Sequence, residues 1–143
     1  MQTSIAHLAT LCCAIFCGAA IYINLVEHPA RMSCGPKIAL AEWAPSYKRA
    51  TAMQASLAVL GFVFAAIAWL IGSSVWVLIA GILLVLVAPF TLLVIMPTNN
   101  RLLALNGDKD ADEAKVLLDR WNKLHAVRSG LSFASLILFL TVT

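Results

Sequence analysis

Charge is missing from most of this chain. Its 10 Lys and Arg and 7 Asp and Glu residues all fall in two windows, 27–49 and 101–128. Nothing outside them is formally charged, which excludes an ordinary soluble domain. Within the windows the basic residues are mixed with acids and stand beside apolar runs, so a nucleic-acid patch is excluded too. The 4 cysteines make no disulfide framework. Cys12, Cys13 and Cys17 sit in an apolar helix as small hydrophobes, and Cys34 lies in a charged loop assigned below to the reducing cytosol. Cys13 and Cys17 lack the second pair that a thiolate metal site needs. No flavin, haem or nicotinamide motif is recognisable, and no cofactor is expected. The first apolar run lacks a basic leader and a small-residue cleavage site, so it reads as a retained helix.

What is abundant is hydrocarbon. The 143 residues are 62% hydrophobic and 12% charged, with mean hydropathy +0.90. Four runs, roughly 4–26, 51–71, 75–96 and 123–142, are long enough to cross a bilayer. The fold class expected is all-α: a four-helix bundle integral to the membrane, one domain over 1–143. Every Lys and Arg except Lys123 and Arg128, at the start of the last span, lies in loops 27–50 and 97–122, which the positive-inside rule makes cytoplasmic. Both termini then face the non-cytoplasmic side of a multi-pass protein in the plasma (inner) membrane. The expected partners are the lipid bilayer and a lipophilic small molecule. The oligomeric state is not legible.

Prolines mark the expected breaks. Pro29 should end or kink the first helix at His28, Pro89 should kink the third span, and Pro97 should end it. A short interfacial helix over 38–43 should precede Pro45. A turn is expected at Asn106-Gly107-Asp108, then a cap from Asp110 or Asp112 and an unbroken helix from about Ala111 to Val142.

That last helix carries the most informative stretch. Trp121, His125 and Arg128 are spaced i, i+4, i+7 and share a face. The 15 residues that follow Arg128 cover roughly 22 Å, against a hydrocarbon core of about 30 Å. Either the chain ends inside the bilayer, or Arg128 and His125 lie within it. An ionisable pair at that depth reads as a site facing the bundle interior, or as an interfacial anchor with Arg128 snorkelling to the headgroups. Asn24, His28 and Arg31 repeat the spacing in the first helix. Trp43, Tyr47 and Arg49 echo the set before the second span, differing by one at the arginine; a parallel repeat would produce this.

Folded as a bundle, the chain should gather one polar cluster at the cytoplasmic end. Its members are Tyr22, Asn24, Glu27 and His28; Tyr47, Arg49 and Gln54; Thr98, Asn99 and Asn100; and Trp121, His125 and Arg128. Three uses are open. His28, His125 and Glu27 form a two-histidine, one-carboxylate metal set, although the adjacent Glu27 and His28 diverge on a regular helix. A histidine can take a proton from a lipophilic substrate while Arg128 stabilises the anion. Or the polar groups only satisfy one another, with Arg128 paired to Glu27 or to free carbonyls. On the residues alone the last is the simplest.

The stretches Tyr22-x-Asn24-Leu25-Val26-Glu27-His28-Pro29, Trp43-x-x-Ser46-Tyr47-x-Arg49, Met96-Pro97-Thr98-Asn99-x-x-Leu102 and Arg120-Trp121-x-x-Leu124-His125-x-x-Arg128 resemble the anthrone-oxygenase-like family of small four-span membrane proteins. Fungal members of that family oxidise anthrones to anthraquinones with molecular oxygen. The resemblance implies a cofactor-independent oxygenase acting on a lipophilic phenolic, anthrone- or quinone-type molecule. It implies His125 as base with His28 second, Arg128 as enolate partner, Asn99 and Tyr47 as donors and Trp121 as a stacking wall. Tyr22, Asn24, Glu27 and Arg49 would complete the binding set. The alternative is a non-catalytic membrane protein that holds a lipid or a protein partner through the same cluster.

The expected orientation has a native probe. Cys34 should resist a membrane-impermeant thiol reagent in intact cells and react after lysis; labelling without lysis would overturn it.

Overall fold

The computed structural model describes residues 2–106 and 109–143, and among them every extended element is helical. Helix α1 runs as Gln2–Tyr22, widens into a π-helical turn at Ile23–Glu27 and continues as His28–Ser33. Helix α2 spans Pro36–Leu70. Helix α3 comprises Val75–Val85, Val87–Phe90, a second π-helical turn at Thr91–Ile95, and Met96–Ala104. Helix α4 is unbroken over Ala111–Val142. All four are long and apolar enough to cross a membrane. Neighbours in sequence pack side by side, and α4 closes the square against α1.

The prolines act differently from the sequence expectation. Neither Pro29 nor Pro97 ends its helix. A proline in a helix has no N–H to give and crowds the carbonyl four residues back. In both spans the preceding turn opens: the His28 N–H reaches the Ile23 carbonyl, and the Met96 N–H reaches the Thr91 carbonyl. The helix passes the proline by taking one wider turn. The two turns keep one register, and the leucines four residues before the prolines, Leu25 and Leu93, are 72% and 77% exposed. Pro45 is likewise inside α2 rather than at a boundary. The stretches 27–50 and 97–122 are therefore mostly helix. The expected break near Pro89 is present as an interruption at Leu86.

Tight connections join the spans. Gly35 takes φ 89° ahead of Pro36, and Gly72 takes φ 104° in the turn to α3, conformations that favour glycine. Ser74 caps α3 by accepting the Trp76 N–H at 3.3 Å. Asp110 precedes α4 without capping it; its Oδ2 instead accepts the Asn106 N–H at 2.8 Å. Gly107 and Asp108 of the expected turn lie outside the described residues.

Two apolar clusters fill the bundle. One half is built of small residues, among them Ala6, Ala9, Cys13, Ala58, Ala65 and Ala80, with Phe16 and Phe139. In lipid, close backbone approach replaces the hydrophobic drive between helices, which small residues permit. A Cβ placed on Gly81 would lie 2.6 Å from the Ala65 Cβ. The other half is aromatic and larger, with Trp43, Trp121, Ile95, Leu102 and Leu118. A polar layer separates the halves.

Gly81→Ala should therefore lower the melting temperature in detergent, at a cost of roughly 1–3 kcal/mol for overpacking. Gly130→Ala, where an added Cβ meets nothing within 4 Å, should not.

Candidate functional site

The α4 face expected from spacing is buried: Trp121, His125 and Arg128 are 5%, 1% and 8% exposed. His125 is held on one side by Asn24. The Asn24 amide Nδ2 donates to the Asn122 carbonyl at 3.0 Å and to Asn122 Oδ1 at 2.7 Å. Its Oδ1 must then be the atom 3.0 Å from His125 Nδ1, where it also accepts the Ser129 hydroxyl at 2.5 Å. An amide oxygen only accepts, so in the neutral ring Nδ1 carries the hydrogen and Nε2 keeps the lone pair. Asn24 thus selects the tautomer.

Arg128 has a sparser setting. Its Nη2 donates to Gln54 Oε1 at 2.7 Å, and its guanidinium lies 5.6 Å from the Phe16 ring centroid. Arg128 Nε and Gln54 Nε2 are buried with no hydrogen-bond partner in the protein. The expected Arg128–Glu27 pair is not formed. Glu27 instead pairs with Arg31, one turn on, and accepts the Ser46 hydroxyl at 2.6 Å. Arg31, itself buried, also meets Glu42 Oε2 through Nε at 2.7 Å. The helix continues past Pro29, which places Arg31 one turn from Glu27; a helix ending there would have separated them.

Glu27, Tyr47, Gln54, Trp121, His125 and Arg128 line one narrow pocket, closed over by Arg31 and Ser46, with room for little more than water. Two aromatic pairs stand behind it. Trp43 stacks on Tyr47 and Trp121 lies against His125, each with centroids 4.9 Å apart, and the two tryptophans meet edge-on at 5.9 Å.

Other expected members are placed elsewhere. Tyr22 is 54% exposed and turned away from the pocket. Arg49 is exposed and lines an outer groove with Glu42 and Met53; the pocket-lining neighbour is Ala50. His28 is buried 6.0 Å from the Trp121 ring but does not line the pocket. Asn99 is wholly buried, without a partner for either amide atom, on the α3 face of Ile95 and Leu102. Thr98 is buried and Asn100 exposed. Among the described residues no group of three or more His, Cys, Asp or Glu side chains is placed to hold a metal ion. Sequence reasoning left Arg31, Ser46, Asn122 and Ser129 out of the cluster; the repeated i, i+4, i+7 spacing was the signal for Arg31.

A profile of the anthrone oxygenase family matches residues 43–138, two thirds of the chain. This protein belongs to the anthrone oxygenase family. The match takes in Tyr47, Gln54, Asn99, Trp121, His125 and Arg128 and leaves out α1, which supplies Asn24 and Glu27. The chain is 43% identical over 61 residues to "Anthrone oxygenase tpcL" of Aspergillus fumigatus, covering 41% of this chain and 38% of the relative. It is 40% identical over 72 residues to an anthrone oxygenase of Claviceps purpurea, covering 45% of this chain and 41% of the relative. The matched stretches thus span well under half of those relatives' lengths. No solved structure matches the chain.

Within this anthrone oxygenase family member, the two kinds of ion pair should differ in worth. Glu27→Ala leaves the buried Arg31 with Glu42 as its one carboxylate and should cost roughly 1–3 kcal/mol of stability. Arg101→Ala removes an exposed pair with Glu113, 2.5 Å apart, and should cost less than about 1 kcal/mol in the same detergent melts.

Proposed function

We propose that this protein oxidises a lipophilic phenolic, anthrone- or quinone-type molecule with molecular oxygen, with the polar layer at the cytoplasmic side of a plasma-membrane bundle. The observation that carries this reading is the juxtaposition of a tautomer-selected histidine and an arginine without a carboxylate partner on one buried face.

His125 Nε2 is the base. It takes a proton from the acidic carbon of the substrate, and the electron pair left behind spreads onto the ring oxygen as an enolate. Arg128 cannot lose its charge, so it remains the partner of that oxygen throughout. The enolate is electron-rich enough to reduce oxygen directly. One oxygen atom bonds to the carbon, the hydroperoxide so formed loses the second hydrogen of that carbon, and the other oxygen atom leaves as water. The carbon becomes a carbonyl. Trp121 supplies the apolar wall, Tyr47 borders the same space, and Asn24 holds the base in its working tautomer.

Oxygen uptake by the purified full chain with an anthrone and hydroquinone panel tests this. His125→Ala and Arg128→Ala should each lower turnover by roughly 10²–10⁴ while inserting and melting normally. The double variant should be little worse than either, because the two act on one anion. His28→Ala should be far milder. No uptake with any member of the panel would favour the non-catalytic, lipid-binding alternative.

A further inference from the structure

The pocket around His125 is too tight for a ring system, but it does not end at Arg128. Helices α2 and α3 touch closely where Gly61, Ala65, Gly81 and Leu84 meet. Beyond that point α3 is interrupted at Leu86 and opens again at the π-helical turn Thr91–Ile95. Over this irregular stretch the two helices enclose a groove of about 190 Å³, against about 10 Å³ in the polar pocket. Its walls are Ala55 and Ala58 on one side and Val87, Ala88 and Leu92 on the other. Ala55 is exposed and Leu92 is 62% exposed, both within apolar spans, so the mouth faces lipid rather than water. At its closed end stand Arg128 and Gln54, which also line the polar pocket.

The chemistry of that end is one-sided. The Tyr47 hydroxyl reaches Met96 Sδ at 3.9 Å, and the Thr91 hydroxyl donates to the Val87 carbonyl at 2.6 Å, so both are spent locally. What remains is the Thr51 hydroxyl, which can give or accept, and Arg128 Nε and Gln54 Nε2, two buried N–H donors without acceptors. A buried donor left without an acceptor costs about 1–3 kcal/mol, which a guest with an acceptor oxygen recovers. Such a guest needs an apolar body to fill the groove and one carbonyl or phenolate oxygen at its end. An amine or a cation offers the wrong polarity.

We propose that this groove is the binding seat of an apolar aryl ketone or phenolate, which slips in sideways from the bilayer between α2 and α3 and sets its oxygen against Arg128 Nε and Gln54 Nε2. The proposal rests on the oxygenase reading for the identity of the guest, and adds the route and the place. It gives Arg128 Nε an acceptor on the groove side; His125 lines the polar pocket and not the groove, so the seat holds the guest before proton removal and not during it.

The test uses the full chain in lipid nanodiscs, with benzophenone as the probe, because an irradiated aryl ketone bonds to C–H groups beside its carbonyl. Mass spectrometry should find the adducts around the closed end of the groove, on Phe16, Gln54, Met96 or Arg128; adducts confined to other faces of the bundle would overturn the proposal. Ala88→Trp and Ala55→Phe fill opposite walls. Each should weaken anthraquinone binding and raise KM for an anthrone by about tenfold or more, with kcat nearly unchanged. Gln54→Leu should cut the preference for anthraquinone over anthracene, which has the same rings and no oxygen. Wild-type binding by both filled variants would overturn the proposal. Groove-dependent binding in a protein that consumes no oxygen would uphold the seat and sink the oxygenase reading, while oxygen uptake indifferent to both fillings would do the reverse.

Discussion

A guanidinium cannot give up its charge, and this bundle buries two of them. Hydrocarbon makes such burial expensive unless the charge is compensated or put to use. The two are handled in opposite ways. Arg31 is compensated within the protein by Glu27 and Glu42, with Ser46 tying the set together. Arg128 receives one neutral amide oxygen and the face of a phenylalanine ring. Positive potential is therefore cancelled at one arginine and left standing at the other. The polar layer, the apolar groove and the reading of the protein as an enolate-stabilising catalyst all depend on that difference.

The backbone serves the same end. Prolines would ordinarily stop α1 near His28 and α3 near Met96. The π-helical turns let both helices continue, which brings Arg31 up to Glu27 and carries Asn99 and Leu102 into the aromatic half. On α3 the same irregularity parts it from α2 after their close contact at Gly81. One local device thus builds the ion-pair cluster on one helix and the groove on another.

Much of this was legible in the residues. Hydropathy alone located four spans, and α4 has the bounds that the sequence indicated, because it holds no proline and a single glycine, Gly130. The shared face of Trp121, His125 and Arg128 followed from their spacing. The proline boundaries were misread because proline's local cost is visible in sequence, whereas the wider turn that absorbs it depends on neighbouring helices. Arg49 was misassigned by one position, and a helix turns through about 100° per residue, so Ala50 faces inward and Arg49 outward. Tyr22 was placed by proximity in sequence rather than by face. The partners of Arg128 and His125 were out of reach for a different reason: Gln54 and Asn24 are side chains from other helices, and only packing brings them across.

The π-helical turns before Pro29 and Pro97, and the ring pairs Trp43–Tyr47 and Trp121–His125, recur at matching positions in the two helical hairpins. The match is imperfect at the places that matter: Tyr47 stands where the other half has His125, and Ala50 where it has Arg128. The two hairpins thus share a framework and differ in the side chains that it carries. Under the proposed chemistry that difference amounts to facial selectivity: base and anion partner stand on one hairpin alone, and a flat guest would give up its proton from one side of its plane.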